Sequence, residues 1–181
     1  MKICFVDTTK LEYTHNDLND KKIRGSESSI INLSKLLSKI GHSVSVFNHS
    51  KVEIIENMYS WQNISRIGNH KHDFDVVISN NDSEILSKFS CKKKYVLSHS
   101  ILNFEKAMRK KQFFSYFANK PRYLLLGNYH KKKMSKIFSI YGSHIINYGV
   151  DEIFENQVIP ENFDKNLSFF TSRQDRNLDL L

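Results

Sequence analysis

Three short segments carry residue types and spacings that can do more than pack. In Arg24-Gly25-Ser26-Glu27 a glycine opens an apolar-periodic stretch. With no Cβ in the way, backbone N–H groups and the positive end of a helix can approach a phosphate there, so Gly25 and Ser26 are candidate ligand contacts. His99 directly follows the apolar run Tyr95-Val96-Leu97-Ser98. Its imidazole, with an ordinary pKa of about 6.5, can donate to a hydroxyl or phosphate or accept a proton near neutral pH. Asn128-Tyr129-His130 follows another apolar run, which makes Asn128 a candidate substrate contact, while His130 heads a lysine-rich stretch and reads as a surface residue. Metal chemistry is not expected. His70-Lys71-His72 and Asp73-Phe74-Asp75 have ligand-like spacing, but both precede their strand, and ligands of open α/β sheets bind at the opposite end. Neither G-x-G-x-x-G nor G-x-x-x-x-G-K-[ST] occurs, so dinucleotide oxidoreductase and P-loop chemistries lose their main support. Cys4 and Cys91 form no metal spacing or disulfide framework and read as small hydrophobes.

These residues need a scaffold, and the periodicity supplies one. Met1-Lys2-Ile3-Cys4-Phe5-Val6-Asp7 is nearly continuous apolar sequence, as in a strand buried on both faces of a parallel sheet. After a polar loop over 8–24, Ile30, Leu33, Leu37 and Ile40 recur at spacings of 3, 4 and 3, with Ile31 and Leu36 widening the stripe and Gly41 as a stop. That spacing predicts an amphipathic helix over 27–40. Strands are expected at 44–47, 74–79, 95–98, 123–126 and 144–147, with helices at 83–89, within 100–117 and at 129–138. The alternation predicts an α/β, Rossmann-like parallel sheet with helices on both faces and the first strand near its centre. Residues 1–160 form the expected first domain, and 161–181 a connector and the beginning of a second α/β domain.

The chain has 181 residues, 40% hydrophobic and 25% charged, which excludes collagen-like and wholly disordered classes. No apolar run reaches the roughly 20 residues of a membrane span, and the opening turns acidic too soon for a signal peptide, so a cytoplasmic location is expected. The net charge of +8 is concentrated: residues 88–136 hold 14 Lys and Arg against Glu105 alone. That asymmetry suits a polyanionic partner or a merely solvated face. No zinc finger, RNP-type aromatic motif or heptad-linked basic region occurs, so nucleic acid is not expected as partner. On a continuous helix, Lys106, Arg109, Lys110, Phe113 and Phe117 share one face, and Ile101, Phe104 and Met108 the other. The first set is expected to face an anionic membrane surface.

Several segments, in order, resemble the family-four, glycogen-synthase-like retaining glycosyltransferases of GT-B fold. Arg24-Gly25-Ser26-Glu27 through Leu37, followed by Gly41-His42-Ser43-Val44-Ser45-Val46-Phe47, is similar to the family's "GG-x-E … N-L-A-x-x-L … G-H-x-V-x-V-F" opening. Ile146-Asn147-Tyr148-Gly149-Val150-Asp151-Glu152-Ile153-Phe154 resembles the "I-x-N-G-V-D-x-x-x-F" segment that closes the first domain. Leu167-Ser168-Phe169-Phe170-Thr171-Ser172-Arg173-Gln174-Asp175-Arg176-Asn177-Leu178-Asp179-Leu180-Leu181 looks like the "F-x-S-R-P-x-K/R-G-L-D-x-L-L" start of the second. Arg24 stands where the family has the first glycine of its pair, and Asn177 where a glycine follows the second basic residue.

The resemblance implies transfer of a sugar from a nucleotide sugar to a glycan, lipid or other acceptor, with retention and without metal or separate cofactor. Gly25 would approach the donor phosphate, His99 would face sugar or acceptor, and Arg173 and Arg176 would stand near the diphosphate. The family's paired glutamates would lie beyond Leu181, so residues 1–181 alone are expected to be inactive. The alternative expectation is a non-catalytic Rossmann-like module that binds a polyanion or anionic membrane through residues 88–136. A downstream second domain carrying the glutamate pair favours the enzyme.

Overall fold

The computed structural model of the protein describes residues 1–20, 23–69 and 73–147. Its first strand, β1 (Lys2–Val6), alternates: Ile3 and Phe5 join one apolar cluster, Cys4 and Val6 another, and all four are buried. Such two-sided burial marks an inner strand of a covered parallel sheet. The other strands are β2 (Ser43–Asn48), β3 (Ile54–Ile55), β4 (Tyr59–Asn63), β5 (Val76–Asn80), β6 (Lys93–Ser98), β7 (Arg122–Leu125) and β8 (Ser143–Ile145). They form one sheet in the order β3-β4-β2-β1-β5-β6-β7-β8, parallel throughout except for the β3–β4 hairpin. The fold is therefore α/β and Rossmann-like, with β1 fourth of eight, as the sequence predicts.

The chain runs outward from β1 through β2 to β4, then returns to β5 on the other side of β1. This reversal puts the topological switch point at the carboxyl ends of β1 and β5, where such sheets bind ligands. On one face α1 (Gly25–Lys39) lays Ile30 and Ile31 against Ile3, Phe5, Val44 and Val46. On the other, α2 (Phe104–Arg109), α3 (Gln112–Asn119) and a 3-10 turn at Ile85–Lys88 bring Ala107, Tyr116 and Leu86 onto Val77, Val96 and Tyr123. No described helix is long and apolar enough to cross a membrane.

Several elements depart from expectation. The buried stripe of α1 is Glu27, Ile30, Ile31 and Ser34; Leu33 and Leu37 are only partly buried, and Leu36 and Ile40 are 57% and 70% exposed. The apolar arc of this helix is wider than the strip the sheet covers, so its flank stays in water. Residues 100–117 form two helices, because Lys111 adopts a left-handed φ of 56° between α2 and α3. Residues 83–89 hold a single 3-10 turn. The helix expected at 129–138 is split into α4 (Asn128–Lys133) and a 3-10 turn at Lys136–Ser139. Residues 148–154, the 161–181 segment with Arg173 and Arg176, and His70 and His72 lie outside the described residues.

Candidate active site at the carboxyl edge of the sheet

Asp7, the first residue after β1, is fully buried and fixes the loop that follows. Its Oδ1 accepts the Thr9 backbone N–H at 3.0 Å, and its Oδ2 accepts the Thr9 hydroxyl at 3.0 Å and the Tyr13 hydroxyl at 2.6 Å. Burial, then the Asp7 charge, pushes the Tyr13 hydroxyl pKa far up, so Tyr13 remains a donor. Tyr13 is held in turn through its carbonyl, which accepts Asn48 Nδ2 at 2.7 Å and Trp61 Nε1 at 3.1 Å. A carboxylate satisfied in this way anchors structure.

Glu27 is different. It sits in the first turn of α1, is 1% exposed, and its Oε2 accepts the Ser26 hydroxyl at 2.8 Å, while Oε1 has no hydrogen-bond partner among the described residues. A buried acceptor left unmatched is costly, and it is poised to take a hydroxyl or amide hydrogen from a ligand. The start of α1 carries no side-chain cap from Arg24, and a Cβ placed on Gly25 would meet no heavy atom within 4 Å. Nothing within the described fold therefore demands glycine there; the space in front of the helix is open.

His99, one residue past β6, is half-buried, and its backbone N–H donates to Asn81 Oδ1 at 2.8 Å. Burial lowers its imidazole pKa; the charges of Glu27 and Asp7 oppose that shift and His130 reinforces it. At neutral pH it is a neutral donor and acceptor, able to meet a sugar hydroxyl without repelling a cation. Glu27 and Asp7 thus lie close enough to His99 for their charges to act on it, and Gly25 and Ser26 open the helix that carries Glu27. Asn128 opens α4 beyond β7 and is exposed.

Besides Glu27, three residues here escaped the sequence reading. His130 is buried rather than on the surface, and burial lowers its pKa. Asn80 is 3% exposed with Nδ2 unpartnered among the described residues. Asn81 carries a left-handed φ of 54°. The Asn80-Asn81-Asp82 triplet after an apolar run was the available signal, since Asn tolerates that backbone region.

The expected membrane face is not assembled. Phe113 and Phe117 pack partly buried against the core, and Lys106 folds back on the preceding loop, donating from Nζ to Ser100 Oγ at 2.9 Å and to the Ile101 carbonyl at 3.1 Å. Arg109 and Lys110 stay exposed. Lys111 ends the continuous helix, and the exposed apolar residues on either side of it are Ile101, Phe104, Met108 and Phe114. Asp75, from the excluded metal motif, accepts the Lys2 backbone N–H at 2.7 Å at the amino edge. Among the described residues, no group of three His, Cys, Asp or Glu side chains is close enough to hold a metal ion. No protein-family model and no curated protein sequence matches the chain.

Proposed function

We propose that the chain is the first-domain part of a retaining glycosyltransferase that takes a nucleotide sugar as donor. The observation that carries this reading is the start of α1. A 15-residue helix begins without a side-chain cap, at a glycine facing open space, on the connection that follows β1, where the strand order reverses. Its amide groups and positive end suit the diphosphate of the donor. Glu27 Oε1 and the neutral His99 are then acceptor and donor for hydroxyls of sugar or acceptor substrate. The motif order from Gly25 to Arg176 supports the same reading.

The chemistry asked of these residues is stabilisation of the departing diphosphate and orientation of the sugar in an enclosed cleft. Arg173 and Arg176 are proposed to add positive charge at the diphosphate, with no metal or separate cofactor required. One domain offers one wall of such a cleft. Residues 1–181 alone are therefore expected to be inactive, and the same chain continued by a second nucleotide-binding domain active.

The test is nucleoside diphosphate release from a panel of UDP-, GDP- and ADP-sugars. Gly25→Leu should fold as the parent does, given the open space at its Cβ, yet lose turnover because the side chain occupies the phosphate approach. His99→Ala should lower turnover with the fold retained. Turnover by residues 1–181 matching that of the two-domain protein, or an unaffected Gly25→Leu variant, overturns the reading.

A second partner follows from the turned-out apolar residues. Phe104 contacts Phe113 at 5.2 Å between ring centroids, Phe113 contacts Phe114 at 5.5 Å, and Arg109, Lys110 and Lys111 lie exposed on the same elbow. Exposed aromatics beside cations suit peripheral association with the anionic inner face of a membrane, on the cytoplasmic side.

A further inference from the structure

The basic region does not stay together in the fold. Lys131, Lys132 and Lys133 lie on α4, and Arg109, Lys110 and Lys111 at the α2–α3 elbow. A third group sits at the amino ends of β6 and β7, the edge opposite the proposed active site. There a cavity of about 310 Å³ is lined by Lys92, Lys93, Lys94, Lys120 and Arg122, with Tyr95 and Tyr141 completing its wall. Two distant stretches of the chain supply these five cations, brought together by the parallel β6–β7 pairing that sets Tyr95 opposite Arg122.

Parts of this wall are held in place. Lys94 Nζ donates to Asn119 Oδ1 at 3.0 Å. Lys120 caps α3 in the left-handed region at φ 50°. The Arg122 stem runs past Gly142, whose Cβ position lies 3.7 Å from Arg122 Cγ, with φ of 104° at the glycine. None of the five cations is ion-paired to a described carboxylate. The nearby acids Asp73 and Asp75 line a separate cavity with Lys2, and Asp75 is already engaged by the Lys2 N–H.

Five like charges around one concavity repel each other and focus a positive field into it. An anion that enters relieves that repulsion. A single phosphate can engage only some of these side chains, whereas adjacent phosphates can engage cations from both segments at once. Arg122 can bind a phosphate in bidentate fashion, while the lysines act as point charges. The groove is bounded by Tyr95 and Tyr141, and the remaining basic clusters lie on other elements, so it suits a compact anion better than an extended strand.

We infer that the groove between Lys92–Lys94 and Lys120–Arg122 is a binding site for a compact polyphosphate, two or more adjacent phosphates, remote from the carboxyl-edge site. It does not depend on the transferase reading. Residues 1–181 are titrated with sodium tripolyphosphate by calorimetry, and in parallel with phosphatidylcholine vesicles with or without a bisphosphorylated lipid. Lys92→Ser, Lys93→Ser and Arg122→Ser are combined in one variant; all three side chains are exposed, so the fold should be kept. The control combines Lys131→Ser, Lys132→Ser and Lys133→Ser, with the same change in net charge.

The groove variant should lose about tenfold or more in tripolyphosphate affinity, which is about 1.4 kcal/mol or more, while the control changes little. Groove-dependent binding to the bisphosphorylated vesicles alone identifies the source as a lipid headgroup and upholds the site. Equal weakening by both variants, no binding to either probe, or tighter binding of a single-stranded oligonucleotide that depends on the α4 lysines overturns it.

Discussion

The residue that follows β5 holds the residue that follows β6: Asn81 Oδ1 accepts the His99 backbone N–H at 2.8 Å. Asn81 also donates its own N–H to the Leu97 carbonyl at 2.9 Å and accepts Gln112 Nε2 on its carbonyl at 2.9 Å. Its φ of 54° disfavours any residue with an unassisted Cβ. Asn81→Ala should cost about 1–2 kcal/mol for the left-handed backbone and about 1 kcal/mol for each of two lost side-chain hydrogen bonds, from the His99 N–H to Oδ1 and from Nδ2 to Asn80 Oδ1. Asn81→Gly loses only the hydrogen bonds. Thermal denaturation should rank wild type above Gly and Gly above Ala; an Ala variant as stable as wild type would remove the strain from the argument.

On α1 the buried stripe, not the full apolar arc, decides stability. Ile30 is 1% exposed and Leu36 57%. Ile30→Ala should cost about 2–5 kcal/mol, Leu36→Ala within about 0.5 kcal/mol, and Leu33→Ala should fall between them. Urea denaturation of the three variants checks the order.

Stability should rise with pH between about 5 and 7. Burial depresses the native pKa of His99 and His130 below the unfolded value of about 6.5, so the unfolded chain binds more protons in that window. The native state is penalised as pH falls through 6.5 toward the depressed values, and the penalty disappears above 6.5. His15, lowered by burial and then by Lys35, acts in the same sense. Glu53, held low by Arg66, responds only at more acid pH. Replacing His99 and His130 by Gln should flatten the profile from pH 5 to 7 measured by chemical denaturation; an unchanged slope contradicts the assignment.

Phe104 and Phe114 are 52% and 74% exposed. Changing both to Ser should reduce co-sedimentation with anionic vesicles about tenfold or more, given about 1.5–3 kcal/mol per fully buried side chain. Binding should fall with added salt. Phe117→Ala should instead lower stability, by less than the roughly 3–5 kcal/mol of a fully buried Phe. The reverse pattern would restore the face with Phe113 and Phe117 as the lipid contact.

The strands of the central sheet were legible because burial on both faces leaves continuous apolar runs, as in Ile3-Cys4-Phe5-Val6 and Tyr123-Leu124-Leu125. β4 escaped because Ser60, Gln62 and Asn63 break its apolar run. The α2–α3 break escaped because Lys111, neither Gly nor Pro, makes it; the turn is stabilised by tertiary packing rather than by local propensity. Near the carboxyl edge, the positions of Gly25 at the start of α1 and of His99 just past β6 were legible from the periodicity. The burial of His130 and the unmatched Glu27 oxygen depend on neighbours far along the chain, which periodicity cannot register.

Trp61 is the sole tryptophan, fully buried, and its Nε1 bridges the Tyr13 carbonyl and Asn48 Oδ1 at 3.1 and 3.0 Å. The indole therefore senses whether Tyr13 is seated beside Asp7. Undocking that stretch strips the ring of one bridge and opens it to water, which shifts its fluorescence to longer wavelength. Tyr13 and Tyr59, with ring centroids 5.6 and 6.4 Å away, serve as donors for energy transfer to it. The protein carries its own optical gauge of the approach to α1, readable without a label.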